Sequence, residues 1–261
     1  MSKKYNPFLE PVCNIAREAG VAIMDIYATD FSSERKTDGS LVTEADTAAE
    51  TIILSALSSL TPNIPIVSEE RIAIGDFPDI SGGNFWSVDP LDGTREFVKR
   101  NDEFTVNIGL IIDLKPVLGV LYAPALDVLF FGAGFGSAKR VVNSDKYSEI
   151  KCRDIPIEGI DVLVSRSHSR NDRLENYLID KKVNGYVPCG SALKFGLLAA
   201  GEADIYPRFG PTSEWDTAAG HAILEAAGGY IKTLDGKPLV YGKYKNKFLN
   251  PSFISYGKEN V

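Results

Sequence analysis

Histidine and cysteine are scarce here, with two and three copies in 261 residues, and neither is clustered. Cys13, Cys152 and Cys189 form no C-x-x-C pair, which argues against a zinc site or a disulfide framework and suits small core residues in a reducing compartment. His168 and His221 make no H-E-x-x-H, and His221 falls on the apolar face of a predicted helix, as a core residue would. No G-x-S-x-G and no Cys–His pairing offers a covalent nucleophile. No run of about 18 apolar residues is present, so a transmembrane helix is not expected. Met1 to Pro7 lacks an apolar leader and reads as a mature cytosolic start, while a peripheral contact with a membrane face stays open. The net charge of −7 disfavours a nucleic-acid polymer as partner, because such affinity rests on neutralising phosphates with Lys and Arg. Repeats and low-complexity tracts are also missing.

What is present is apolar mass and placed carboxylates. Hydrophobic residues make up 44% of the chain, enough for one large core or two closely packed halves. We divide it into an N-terminal half, 1–138, and a C-terminal half, 139–261, packed as one unit. Asn6-Pro7 reads as a helix N-cap and first turn, with Val12, Ile15, Ala16, Ala19, Ile23 and Ile26 at helical spacing to about Tyr27. Thr29 to Leu41 is polar and reads as a loop. A second helix is expected from about Thr43 to Leu60, stopping before Pro62. Ile64 to Val67 reads as a strand ending in Ser68-Glu69-Glu70. Three strands with turn signals, 104–112, 117–122 and 128–132, suggest an antiparallel meander. A polar, irregular seam is expected over 139–158. Beyond it, strands and helices alternate to Thr233, which argues for helices layered on a sheet.

The chain is organised around Phe85 to Phe97. An apolar strand ends in Asp89-Pro90-Leu91-Asp92-Gly93-Thr94, so two carboxylates face each other across a turn in which Pro90 fixes φ. Such a pair repels itself unless a cation lies between, and a hard divalent ion with oxygen ligands is the matching partner. The Leu91 carbonyl could add a ligand, and the Gly93 and Thr94 amides could seat a phosphate oxygen. An Asx-type turn capping a helix is the competing reading. Glu69 follows a neighbouring strand end, so both acids can meet at one sheet edge, where open α/β sheets bind ligands. Asp46 and Asp216 each lie three residues after a capping residue, Thr43 and Ser213, so either could serve only as a helix cap. Trp215 would bury the second of these turns and hold Asp216 among other buried elements.

Taken together, Asp89-Pro90-Leu91-Asp92-Gly93-Thr94, Ser68-Glu69-Glu70, Val42-Thr43-Glu44-Ala45-Asp46 and Trp215-Asp216-Thr217-Ala218-Ala219-Gly220 resemble, in order and spacing, the four signatures of the inositol monophosphatase superfamily. Lys36-x-Asp38-x-Ser40, Arg95-Glu96-Phe97, Glu103 to Ile108, Gly190-Ser191-x-x-Lys194 and Tyr206 to Pro211 are most similar to its CysQ-type 3′(2′),5′-bisphosphate nucleotidase branch. The resemblance implies an α/β (α+β) fold, a layered α-β-α-β-α sandwich of the inositol monophosphatase and fructose-1,6-bisphosphatase type. It implies a cytoplasmic phosphatase that uses two or three Mg²⁺ ions, is inhibited by Li⁺ and takes a small nucleotide bisphosphate, such as 3′-phosphoadenosine 5′-phosphate. By the same resemblance Glu69, Asp89, Leu91 (through its carbonyl), Asp92 and Asp216 are the metal ligands. Asp46 and Thr94, with Glu69, are the catalytic groups around the attacking water. Gly93, Thr94, His168, Ser191, Lys194, Arg208 and Asp216 are the substrate contacts, with Tyr206 or Phe209 beside adenine. An inositol- or sugar-phosphate monophosphatase is the alternative, and a non-catalytic metal and nucleotide sensor a further one. Monomer and homodimer are equally compatible with the sequence.

Overall fold

The computed structural model describes residues 5–36, 39–144, 146–166 and 172–258. Helix α1 (Asn6–Tyr27) starts one residue earlier than expected, with Tyr5 rather than Asn6 at the cap, because Pro7 fits either of the first two helical positions. The 29–41 segment is not simply a loop: β1 (Ser33–Arg35) pairs antiparallel with β2 (Leu41–Thr43). Their turn is closed by Lys36 N–H to the Ser40 carbonyl and Gly39 N–H to the Lys36 carbonyl, both at 2.9 Å. α2 (Glu44–Leu60) follows at once, capped by Thr43.

β3 (Ile66–Ser68), the short helix α3 (Glu69–Ala73), β4 (Phe85–Asp92), the short helix α4 (Thr94–Val98), β5 (Thr105–Ile112), β6 (Lys115–Ala123) and β7 (Val128–Gly132) come next. β5 to β7 form the expected antiparallel meander, β4 joins it antiparallel beside β5, and β3 lies parallel to β4. The 139–158 segment is not an irregular seam throughout but extends the same sheet: β8 (Lys139–Val142) and β9 (Ser148–Glu149) bring it to seven strands. The second sheet is built from β10 (Ile160–Ser165), β11 (Val183–Cys189), β12 (Ile205–Arg208), β13 (Tyr230–Thr233) and β14 (Phe253–Tyr256), in the order β11-β10-β12-β14-β13. Between these strands run α5 (Asp172–Leu178), α6 (Leu193–Ala199) and α7 (Ala218–Ala226).

Alternation along the strands assigns the layers. Val106, Ile108 and Leu110 of β5 share a core with α1 and α2, whereas Ile111 faces a second core with Phe195, Leu198, Ile223 and Leu224 of α6 and α7. That second core is closed by Leu163, Tyr206, Ile231 and Phe253 of the five-stranded sheet. On its far side Leu174 and Leu178 of α5 cover Ile160, Val162 and Ile205. The order is therefore helix pair, sheet, helix pair, sheet, helix, a five-layer α-β-α-β-α sandwich. The three cysteines and His221 are buried, and the His221 Nδ1 lies 3.0 Å from the Tyr241 hydroxyl.

Contact between the layers depends on two opposed glycines. Gly109 and Gly119 face each other across β5 and β6, and the first turn of α7 rests on them. A Cβ at Gly119 would lie 2.1 Å from the Ala219 carbonyl oxygen, closer than any real Cβ contact. Helix α7 therefore lies against bare backbone, and this fixes the height of the Trp215-Asp216 turn that precedes it.

Candidate metal-dependent phosphatase site

Parallel pairing of β3 and β4, with Ser68 opposite Val88, brings Glu69 and Asp89 side by side at the carboxyl ends of the strands. Asp216, at the entrance to α7, completes a trio: one carboxylate oxygen from each of Glu69, Asp89 and Asp216 lies within 4.8 Å of the others. The turn expected at Pro90 is a β-bulge. Between Asp89, opposite Asn107, and Asp92, opposite Thr105, the two residues Pro90 and Leu91 face the single Val106 of β5, and the extra residue bends the strand. Proline is tolerated there because the ladder is already interrupted. The Leu91 N–H donates to Asp89 Oδ1 at 3.0 Å, holding the first acid in place.

Asp92 stands beside the trio and accepts from the Ala192 N–H, which ties it to the second half of the chain. Asp46 does serve as a cap: its Oδ2 accepts from the Thr43 N–H and hydroxyl, both at 2.7 Å. Its other oxygen faces the site. The Thr94 hydroxyl lies 3.4 Å from both Asp46 Oδ1 and the Leu91 carbonyl oxygen, either of which can accept its proton. Asp216 shows the same double use, accepting from the Ser213 N–H at 2.8 Å.

So many acids in a buried place strain each other electrostatically. Burial, then Glu69, Asp92, Asp216 and Asp46, hold the Asp89 carboxyl well above its ordinary 3.8. Burial, then Asp92 and Glu69, do the same for Asp216, against the opposing Ser213 N–H. Burial raises Asp46 to about 6 although the Thr43 contacts oppose it. Asp92 also rises to about 6 through burial, with Lys194 and the Ala192 N–H pulling the other way. An all-oxygen donor set under this much mutual repulsion fits a hard divalent cation, which would neutralise the gathered charge.

Lys36, which the sequence supplied only as part of a motif, reaches in from the β1–β2 turn and contacts Glu69 Oε1 and Glu70 Oε1, each at 2.7 Å. Burial works against its charge, but the two glutamates outweigh burial and raise its pKa. Glu103 was missed as a structural support. It accepts from Arg166 Nε at 2.7 Å and from the Gly190 N–H at 2.8 Å, fixing the loop that carries Ser191. Ser191 itself has a positive φ of 45°. Gly93, at φ 93°, approaches it so closely that a Cβ there would lie 3.2 Å from the Ser191 Cβ.

The expected nucleotide contacts are placed unequally. Lys194 is turned inward, 3% exposed, with its ammonium donating to the Cys189 carbonyl at 3.1 Å and to the Ser191 carbonyl. Arg208 is half-buried at the end of β12 and donates to the Pro211 carbonyl at 2.8 Å. Tyr206 cannot flank a base as expected, because it is buried between the sheets against Phe195 and Phe253. Phe209 packs on Tyr177. His168 and Asp38 lie outside the described residues.

A five-layer sandwich with an oxygen-only acidic centre at its strand ends defines a metal-dependent phosphatase class. The profile of the inositol monophosphatase family matches residues 4–252, and the chain belongs to that family. It is 48% identical over 247 residues, 94% of this chain and 98% of the relative, to a Salmonella typhimurium protein named 3′(2′),5′-bisphosphate nucleotidase CysQ. The crystal structure of CysQ from Bacteroides thetaiotaomicron superposes with a TM-score of 0.79 at 34% identity, covering 96% of this chain and 97% of that one. An inositol monophosphatase from Anabaena (Nostoc) superposes at 0.75 with 28% identity, covering 97% and 91%. No helix among the described residues is long and apolar enough to cross a membrane.

Proposed function

We propose that this chain removes the 3′-phosphate from 3′-phosphoadenosine 5′-phosphate, giving AMP and phosphate, with two or three Mg²⁺ ions held by Glu69, Asp89, the Leu91 carbonyl, Asp92 and Asp216. The observation that carries this reading is the Glu69–Asp89–Asp216 trio, closed to 4.8 Å beside the Asp46–Thr94 pair. Bound metal supplies charge neutralisation at the phosphate and a lowered pKa for attacking water. The chain's own residues do the rest. Thr94 orients the water through its hydroxyl, and Asp46, whose Oδ1 faces that hydroxyl at 3.4 Å, accepts the proton. The Gly93 and Thr94 amides hold phosphate oxygens. Phosphoryl transfer needs alignment and charge stabilisation more than a covalent nucleophile, so this set is sufficient.

Beyond the reacting phosphate, Ser191 and Arg208 are the direct contacts to the nucleotide, with His168 a third. Lys194 acts from below, placing a positive charge under the Ser191 loop and fixing its carbonyls. Name and sequence similarity to the nucleotidases favour the bisphosphate, while the fold is equally that of inositol monophosphatases. The buried free cysteines suit a reducing, cytoplasmic setting.

The deciding experiment is phosphate release with Mg²⁺ from 3′-phosphoadenosine 5′-phosphate and from inositol 1-phosphate at matched concentrations, with and without EDTA, and then with Li⁺. A chelator-sensitive, Li⁺-inhibited preference for the nucleotide is expected. Preference for the inositol phosphate would move the substrate to the alternative and keep the site. Release from neither would leave a sensor.

A further inference from the structure

Behind the acidic trio the seven-stranded sheet carries a second polar group of residues. On β4 and β5 the face toward α1 and α2 is wholly apolar, with Trp86, Val88, Val106, Ile108 and Leu110. The opposite face is apolar only at one end, at Phe85 and Ile111. Toward the carboxyl end of β4 it becomes Ser87 opposite Gly109, then Asp89 opposite Asn107, then Asp92 opposite Thr105. Ser87, Thr105 and Asn107 are all 0% exposed. Among the described residues, the Ser87 and Thr105 hydroxyls and both polar atoms of the Asn107 amide are buried without a hydrogen-bond partner.

Buried polar atoms are almost always paired, and four orphans on one face of two adjacent strands need a reason. Asn107 is the direct cross-strand neighbour of Asp89, so the two side chains leave the sheet side by side, with Cβ atoms about 4.5–5.5 Å apart in such pairs. Mg²⁺ gives up water reluctantly and usually keeps several waters, whose O–H groups need acceptors. Three of the four orphans, the two hydroxyls and the Asn107 Oδ1, are neutral acceptors, and they suit that task better than further carboxylates, which would add repulsion to a centre already crowded with charge.

We propose that Asn107, with Ser87 and Thr105, is a neutral outer seat that holds the hydration shell of the divalent cation at Asp89, making Asn107 a positioning residue for metal binding. The inference rests on the metal-site reading above. It makes an unusual demand: the seat costs the metal-free fold stability and repays it only when metal is bound. Replacing an unpaired buried amide by an apolar group of similar shape is neutral or stabilising, whereas losing a group that orients the metal's surroundings typically weakens metal affinity about 10–100-fold.

The test is thermal unfolding of EDTA-stripped protein titrated with MgCl₂, for wild type, Asn107→Leu and Ser87→Ala. Asn107→Leu should melt at or above wild type without metal, yet need at least about tenfold more Mg²⁺ for the same rise in Tm. Ser87→Ala should show a smaller shift in the same direction, and it carries the test if the leucine variant does not fold. In phosphate release, Asn107→Leu should need the same excess of Mg²⁺ while approaching wild-type kcat at saturation. A folded variant with the wild-type Mg²⁺ response, whatever its Tm, overturns the role of the seat alone. A wild-type protein that does not respond to Mg²⁺ overturns the metal-site reading and the seat with it.

Discussion

Asp46 serves two purposes at once, and its two oxygens can be separated experimentally. One oxygen caps α2 by accepting from Thr43, and the other faces the Thr94 hydroxyl. In Asp46→Asn the amide carbonyl can keep the cap while the NH₂ turns to Thr94, a donor where an acceptor is needed. Folding stability should change by no more than about 1 kcal/mol, the scale of a cap. Turnover should fall by roughly 10²–10⁴, the range supplied by a positioned base. Melting curves read beside single-turnover phosphate release would check both; a variant that loses the fold and the activity together would show that the cap, not the base, is what Asp46 provides. Asp92→Asn should likewise abolish turnover without unfolding the chain, and near-normal release at saturating Mg²⁺ would remove Asp92 from the ligand set.

Hydrophobic period and capping residues located α1, α2 and the meander, and strand-end logic put Glu69 next to Asp89, because each of those signals is local. The β1–β2 hairpin, β8 and β9 were not legible, since short polar strands have no apolar alternation and are held by their neighbours. Lys36 on Glu69 and Glu103 on Gly190 join residues 33 and 87 positions apart, and no local pattern encodes such a pairing. The Gly109–Gly119 pair was equally silent, although it seats α7 and therefore Asp216. Gly119→Ala should press a methyl group into the Ala219 carbonyl, costing about 1–3 kcal/mol as overpacking does. By shifting Asp216 it should also weaken Mg²⁺ binding. Gly82→Ala, which meets nothing within 4 Å, is the control and should leave both Tm and Mg²⁺ response unchanged.

For the whole molecule, the acidic centre couples stability to pH and to metal in one direction. Asp46 and Asp92 titrate at about 6 in the metal-free fold instead of their ordinary 3.8, and Glu70 at about 7 instead of 4.5, chiefly because burial penalises their charge. Asp89 and Asp216 are shifted the same way. A carboxyl whose pKa is raised by folding binds its proton more tightly in the native state. It therefore favours the fold fully below about pH 4 and loses that contribution as pH rises through the folded value. The metal-free protein should consequently be less stable at pH 8 than at pH 5 as far as these groups decide it. A divalent cation binds the ionised form and so compensates where the loss is greatest, which ties this linkage to the metal reading. The rise in Tm on adding saturating Mg²⁺ should be larger at pH 8 than at pH 5. Melting EDTA-treated and Mg²⁺-loaded protein across that range checks it, and a rise that stays constant or shrinks with pH would mean that metal binding is not what stabilises the ionised Asp89, Asp92 and Asp216.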